Sequence, residues 1–233
     1  MRMRFLCTII DHTRIRIKAE VPMKQVDMDE IYRKMSPAQI PWNIEEPPDA
    51  LVELLDKGSV RPCKTVEFGC GLGNYTLYLS SRGGFDVTGV DISPTAIRIA
   101  EENARKKGLK CAFIVADALG DLKEVEDSFD FAYDWELLHH IFPGQRKKYV
   151  ENVYGKLKPS GSYLSLCFSE KDPHFGGTGK YRETPLGTVL YFSSETELRD
   201  LFEPYFRIEE LKTIKVRGKY GAHLAVYVFM HRR

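Results

Sequence analysis

Apolar positions along the chain alternate between two periods. PPDALVELLDKG (47–58) opens on proline, stops on glycine and sets Leu51, Leu54 and Leu55 on one face, which predicts a helix. KTVEF (64–68) is a short apolar run and predicts a strand, and NYTLYLSSRGG (74–84) reads as a helix with a glycine stop. FDVTGVD (85–91) predicts a second strand. SPTAIRIAEENARKKG (93–108) carries a serine cap, proline at the first helical position and a glycine stop, with Ala96, Ile97, Ala100 and Ala104 as its stripe. CAFIVAD (111–117) and SFDFAYDW (128–135) predict the third and fourth strands. QRKKYVENVYGKLKPSG (145–161) predicts a helix with Tyr149, Val150, Val153 and Leu157 inward, closed by Pro-Ser-Gly, and SYLSLCF (162–168) the fifth strand.

Repeated strand-helix alternation with short apolar strands predicts an α/β fold with a doubly wound, mostly parallel sheet. FRIEELKTIKV and HLAVYVFM, joined by RGKYG, predict an antiparallel hairpin at its C-terminal edge. Residues 1–22 stand apart. RIRIKAEV alternates like a strand, yet no turn pairs it with a neighbour, and Met23 could itself be a start. The expected organisation is an N-terminal extension over 1–22 and a single domain over 23–233. The extension is an edge strand or ordered tail on one reading, and dispensable on the other.

Composition narrows the function classes. With 233 residues, 43% apolar and 29% charged, the chain supports one large core. A formal net charge of +1 supplies no broad basic field for nucleic acid or anionic membrane. Cys7, Cys63, Cys70, Cys111 and Cys167 form no CxxC pair, which suits free thiols in a reducing compartment. FLCTII is shorter than a signal-peptide core, and no window is long and apolar enough to span a membrane. The expectation is a cytoplasmic protein.

VEFGCGLGN (66–74) carries the chemistry. Gly69, Gly71 and Gly73 follow a strand directly, so the backbone turns sharply and approaches a ligand. The dinucleotide pattern GxGxxG fails, because Asn74 occupies its third glycine position, and no GxxxxGK[ST] phosphate loop is present. Glu67, two residues before Gly69, opposes a pyrophosphate and favours a cation. In doubly wound sheets ligands sit beyond the carboxyl ends of the strands. Those ends supply Glu67, Asp91, Asp117 and Asp134, the last followed by Trp135. Asp91 lies eighteen residues past Gly73, a spacing suited to accepting hydrogen bonds from two ribose hydroxyls. S-adenosylmethionine has a ribose and adenine, no phosphate, and an ammonium with a sulfonium. Its charges fit a carboxylate at the turn.

Glu67-Phe68-Gly69-Cys70-Gly71-Leu72-Gly73 resembles the ExGxGxG motif of class I S-adenosylmethionine-dependent methyltransferases. The likeness continues through GVDIS, VADAL, FDFAYDWELLHHI and LKPSG, across roughly residues 40–170. PWNIEEPPDALVELL is similar to the lead-in helix of the thiopurine- and tellurite-methyltransferase type. The resemblance implies an enzyme with a seven-stranded Rossmann-like sheet, and S-adenosylmethionine as cofactor. It implies that Glu67, Gly69, Cys70, Gly71 and Gly73 form the turn at the methionine end, and that Asp91 binds the ribose hydroxyls. Ile92 would pack on adenine, Asp117 and Ala118 would meet the adenine edge, and Asp134 would offer its backbone near the methionine portion. Trp42 either closes the entrance or packs the lead-in helix.

Methyl transfer is an in-line displacement that positioning can largely supply, and a base is needed only when the acceptor must lose a proton. Asp134, Glu136, His139 and His140 follow strand four, and Asp134 and His139 are the favoured catalytic candidates. A structural pair of histidines is the other reading. After strand four no [ND]PP[YF] or Pro-Cys signature of nucleic-acid methylation occurs, and Asp134 alone does not make a metal site. Residues 169–192 read as a flexible loop on the acceptor side or as plain surface disorder. The sum is methyl transfer to a small-molecule acceptor through O, N, S or a similar nucleophile, without nucleic acid, membrane or metal. A silent S-adenosylmethionine-binding regulator and a nicotinamide-dependent oxidoreductase are the alternatives.

Overall fold

The structure is a computed structural model that describes residues 26–173 and 179–233. The extension over 1–22, with its strand-like RIRIKAEV, lies outside the described residues, as do residues 174–178 of the long loop.

Strands β1 (Lys64–Phe68), β2 (Asp86–Asp91), β3 (Ala112–Val115), β4 (Phe129–Trp135) and β5 (Leu157–Phe168) run parallel. The other elements are α1 (Met28–Lys34), α2 (Asp49–Asp56), α3 (Asn74–Ser81), α4 (Pro94–Lys107), α5 (Pro143–Lys156), β6 (Tyr181–Glu183), β7 (Val189–Tyr191), α6 (Glu195–Phe202), β8 (Phe206–Gly218) and β9 (Gly221–Arg232). The main sheet has the order β3-β2-β1-β4-β5-β9-β8, and β9 pairs antiparallel with both β5 and β8. This is the expected seven-stranded, mostly parallel sheet with a reversed C-terminal hairpin. The strand order changes direction between β1 and β4, so a crevice opens at their carboxyl ends.

Alternation along the strands divides the core between the two sheet faces. Val66, Phe68 and Ala132 pack with Tyr149, Val150 and Val153 of α5. Val87, Phe131, Tyr133 and Leu164 pack with Leu51, Leu54 and Leu55 of α2. Local signals act as read: Ser93 Oγ accepts from the Ala96 amide at 3.0 Å, and Gly108 ends α4 in the left-handed region.

Three segments differ from expectation. Helix α5 stops at Lys156, because Leu157 is extended and its buried side chain begins β5, so LKPSG belongs to the strand. Helix α6 was not expected. Ser194 caps it by accepting from the Glu197 amide, and Glu197 reaches back to the Ser194 amide. Part of the supposed loop is the two-stranded β6–β7 hairpin, anchored by buried Arg182, whose guanidinium lies 4.0 Å from the centre of the Phe192 ring.

Candidate active site

A cavity of about 830 Å³ opens at the carboxyl ends of β1, β2, β3 and β4. The turn after β1 forms one wall. Gly69, Gly71 and Gly73 have φ of 74°, 52° and 77°, a region costly for residues with a Cβ. The amides of Gly69 and Cys70 donate to the Val90 carbonyl at 2.7 and 3.0 Å, which ties the turn to β2. Asp91 receives the Gly71 amide at 2.8 Å and the Ser93 amide at 2.9 Å. Burial raises its pKa, and those two hydrogen bonds oppose the rise. The carboxylate is thus fixed beside the turn, with lone pairs left for a ligand.

Glu67 is buried, and one of its oxygens accepts from both Thr76 Oγ1 and Tyr133 Oη. Removal from water pushes its pKa up to about 7, against those hydrogen bonds. A cation placed here would restore the ionised form.

Ile92 lines the same cavity and presents an apolar surface at 55% exposure. Ala118 and Asp117 complete that end, Asp117 accepting from the Leu119 amide at 2.8 Å. Helix α1 docks here through Asp29, which accepts from Ser93 Oγ at 2.6 Å and the Thr95 amide at 2.9 Å. Trp42 lines the wall and donates to Tyr32 Oη at 2.9 Å, with the rings edge-to-face. Cys70 also faces the cavity, and burial raises its thiol pKa well above the ordinary value.

Two expected site residues are placed elsewhere. Gly73 is absent from the wall. A Cβ there would meet Phe113 at 2.8 Å and Ala100 at 2.9 Å, so this glycine serves helix-strand packing. Asp134 is also absent from the wall. Its fully buried carboxylate accepts from Tyr149 Oη at 3.0 Å, from Tyr163 Oη, and from Ser165 Oγ at 3.3 Å. A carboxylate saturated by internal hydroxyls is not available to an acceptor.

His139 does line the cavity, stacked 4.4 Å from Phe168. Burial lowers its pKa well below 6.5, and that of His140 to about 4, so both are neutral at pH 7. Among the described residues His139 Nδ1 has no hydrogen-bond partner. Arg146 holds this turn, donating to the carbonyls of Ile141 at 2.7 Å and Leu138 at 3.1 Å, and to Ser193 Oγ at 2.8 Å.

The remaining wall comes from segments that local pattern did not mark. Thr184 to Leu190 of the β6–β7 hairpin contribute several residues, and the β8–β9 turn brings Lys219, Tyr220 and His223. Lys219 Nζ donates to the Ala38 and Ile40 carbonyls. His223 Nε2 lies 2.5 Å from Glu136 Oε1, although the two residues are 87 positions apart. Glu136 itself sits at φ 66°, where a residue with a Cβ pays about 1–2 kcal/mol. No group of three or more metal-ligating side chains gathers among the described residues, and none of their helices is long and apolar enough to cross a membrane.

Comparison with known proteins adds to this geometry. A family model described as a methyltransferase domain matches residues 66–161, the stretch that builds the glycine turn and the strand ends. The chain is 27% identical over 192 residues to 2-heptyl-1-hydroxyquinolin-4(1H)-one methyltransferase of Mycobacteroides abscessus, covering 79% of this chain and 78% of that protein. It is 30% identical to the tRNA N(3)-methylcytidine methyltransferase Mettl2 of Drosophila melanogaster, covering 69% of this chain and 53% of that one. A solved structure described as "Conversion of a Disulfide Bond into a Thioacetal Group during Echinomycin Biosynthesis" superposes with a TM-score of 0.73 at 29% identity, covering 88% and 90% of the two chains.

Proposed function

Because the chain is a class I S-adenosylmethionine-dependent methyltransferase, we propose that it methylates a small, largely apolar acceptor lacking phosphate groups. The charge of the cavity carries this reading. Asp27, Asp29, Glu67, Asp91, Asp117 and Glu136 line it, against Lys219 as the one lysine or arginine among the described wall residues. Lys219 is already engaged with two carbonyls. Glu67, Asp91 and Asp117 belong to the cofactor end, and Arg33 pairs with Asp27 and Asp29. What bears on the acceptor is that, among the described residues, no uncommitted lysine or arginine lines the wall to receive a polyphosphate or RNA. Phe168, Ile141, Leu186 and Leu190 supply apolar wall instead. The hydroxyquinolinone in the name of the Mycobacteroides relative fits that chemistry, and the tRNA in the name of the Drosophila relative does not. Pro41 and Trp42 in the wall support the finer likeness to the thiopurine- and tellurite-methyltransferase type.

The test is a panel of hydroxylated heterocycles, phenols, thiols, amines and RNA, followed by methyl transfer from labelled cofactor. Turnover of small aromatic acceptors with none of RNA is the expected result. Preferential labelling of RNA would overturn the reading, and cofactor binding without transfer to any acceptor would mark a binding protein.

For the cofactor, the geometry supports Glu67 and the Gly69–Gly71 backbone at the methionine end, Asp91 on the ribose hydroxyls and Ile92 against adenine. Asp117 and Ala118 would then face the adenine edge, with Cys70 and Trp42 closing the wall. Glu67 gives a pH prediction. Its pKa is about 7 in the unliganded protein, and a bound ammonium would lower it, so binding below pH 7 must expel a proton. Affinity for S-adenosylhomocysteine should therefore be constant above about pH 7 and fall towards tenfold per unit below it. Glu67→Gln should bind more weakly, with that slope removed. Calorimetric titration from pH 8 to 5.5 reads both, and a flat wild-type profile would exclude Glu67 from contact with the cation.

A further inference from the structure

Three observations converge on one side chain that neither of the favoured catalytic candidates explains. Glu136 is the first residue beyond β4, at the end of the strand beside the crevice, and it lines the cavity. Three residues other than glycine have positive φ among the described residues, Leu122, Ser128 and Glu136, and Glu136 alone of them is in the cavity wall. Strain held at a ligand cavity commonly serves to aim a functional group. The aim is secured by His223 on the opposite edge hairpin, whose Nε2 meets Glu136 Oε1 at 2.5 Å. His223 is held in turn by the Phe168 ring at 4.7 Å, edge-to-face. Among the described residues no hydrogen bond engages the second carboxylate oxygen, Oε2. The side chains of Glu136 and His223 retain 17% and 12% of their exposure, so the pair is shielded yet reachable from the cavity.

We propose that Glu136, positioned by His223, is the general base of the transfer, and that the acceptor presents an ionisable hydroxyl on an aromatic or heteroaromatic ring. The proposal rests on the small-molecule reading above. Glu136 Oε2 takes the hydroxyl proton as the acceptor oxygen attacks the methyl carbon. The new O–C bond forms as the C–S bond breaks, and the C–S electron pair stays on sulfur. The sulfonium becomes the neutral thioether of S-adenosylhomocysteine, and the proton passes from Glu136 to water after release. Atoms and charge balance without a further reactant. His223 is a positioning residue, because it touches the carboxylate and not the acceptor.

The test uses a series of ring hydroxyl compounds of graded acidity, with a matched thiol series, on the full chain. Wild type is compared with Glu136→Gln, and with Glu136→Asn, whose amide suits a left-handed backbone and guards against a folding failure. S-adenosylhomocysteine titration verifies an intact cofactor site in each variant. Loss of a positioned base should lower kcat by about 10²-fold or more for weakly acidic hydroxyls. The loss should shrink steadily as the acceptor's own pKa falls below the assay pH, where the nucleophile arrives ionised. His223→Phe should show the same trend with a smaller loss, and His223→Gln, which can still donate to Glu136, should recover part of it. A defect of one size across the whole acidity series, or no defect, would refute the base. Transfer confined to thiols would overturn this proposal and leave the small-molecule reading standing. Transfer to neither series, with cofactor bound, would overturn this proposal, and preferential labelling of RNA by the same preparation would overturn the small-molecule reading with it.

Discussion

Replacing Asp134 by Ala is expected to lower the free energy of unfolding by about 2–4 kcal/mol, a large share of the about 5–15 kcal/mol that holds a domain together. The carboxylate is the common acceptor for two buried hydroxyls, of Tyr149 and Tyr163. Each hydroxyl left without a partner costs about 1–3 kcal/mol, and removal of a buried charge offsets part of that. Burial pushes the Asp134 pKa up to about 6 from the ordinary 3.8. The folded protein therefore holds this proton more tightly than the unfolded chain does. The stabilising contribution is fully present below pH 3.8 and fades as pH rises through 6. Asp134→Asn should keep most of the stability and flatten that portion of the pH profile. Urea unfolding of the three proteins at pH 5 and pH 8 measures both effects. A loss under about 1 kcal/mol for Asp134→Ala, with methyl transfer abolished, would return the residue to the chemistry.

A second large effect is expected at Gly73. Gly73→Ala should cost about 2–5 kcal/mol, from about 1–2 for a left-handed residue with a Cβ and about 1–3 for overpacking. The new methyl would lie 2.8 Å from the Phe113 ring and 2.9 Å from Ala100 Cβ, between β3 and α4. Gly58 supplies the control. Its φ is 73°, close to the 77° of Gly73, yet a Cβ there meets nothing within 4 Å. Gly58→Ala should therefore show the conformational part alone. Equal urea midpoints for the two variants would disprove the packing role of Gly73.

The glycine-turn half of the cavity was legible because its geometry is local. A strand, three glycines and the next strand's terminal aspartate lie within a single βαβ unit, so Glu67, Gly69, Gly71 and Asp91 meet wherever that unit forms. The Asp134 side chain departs from expectation for a reason equally local. Position at a strand end says that a residue is near the crevice, but alternation decides which face its side chain takes. Tyr133 turns toward Glu67, and Asp134 turns to the hydroxyl of Tyr149 on α5. His223 had no local signal. It reaches Glu136 only through the pairing of β9 with β5, where Ala225 lies opposite Phe168. Strands β6 and β7 are three residues each, too short for an alternating pattern to declare itself. Helix α6 did carry a readable signal, serine followed three residues later by glutamate, at Ser194 and Glu197.

The wall of the cavity is divided by chain segment in a way that bears on inheritance. The turn, Asp91, Ile92 and Ala118 come from one continuous stretch of strands and crossovers. The lead-in residues around Trp42, the β6–β7 hairpin and the β8–β9 turn reach the same cavity from before and after that stretch. Alterations in those three pieces can reshape the room beside the cofactor without disturbing a parallel strand or the glycine turn. Drift in these peripheral pieces therefore offers a lineage new acceptors while the methyl donor stays the same.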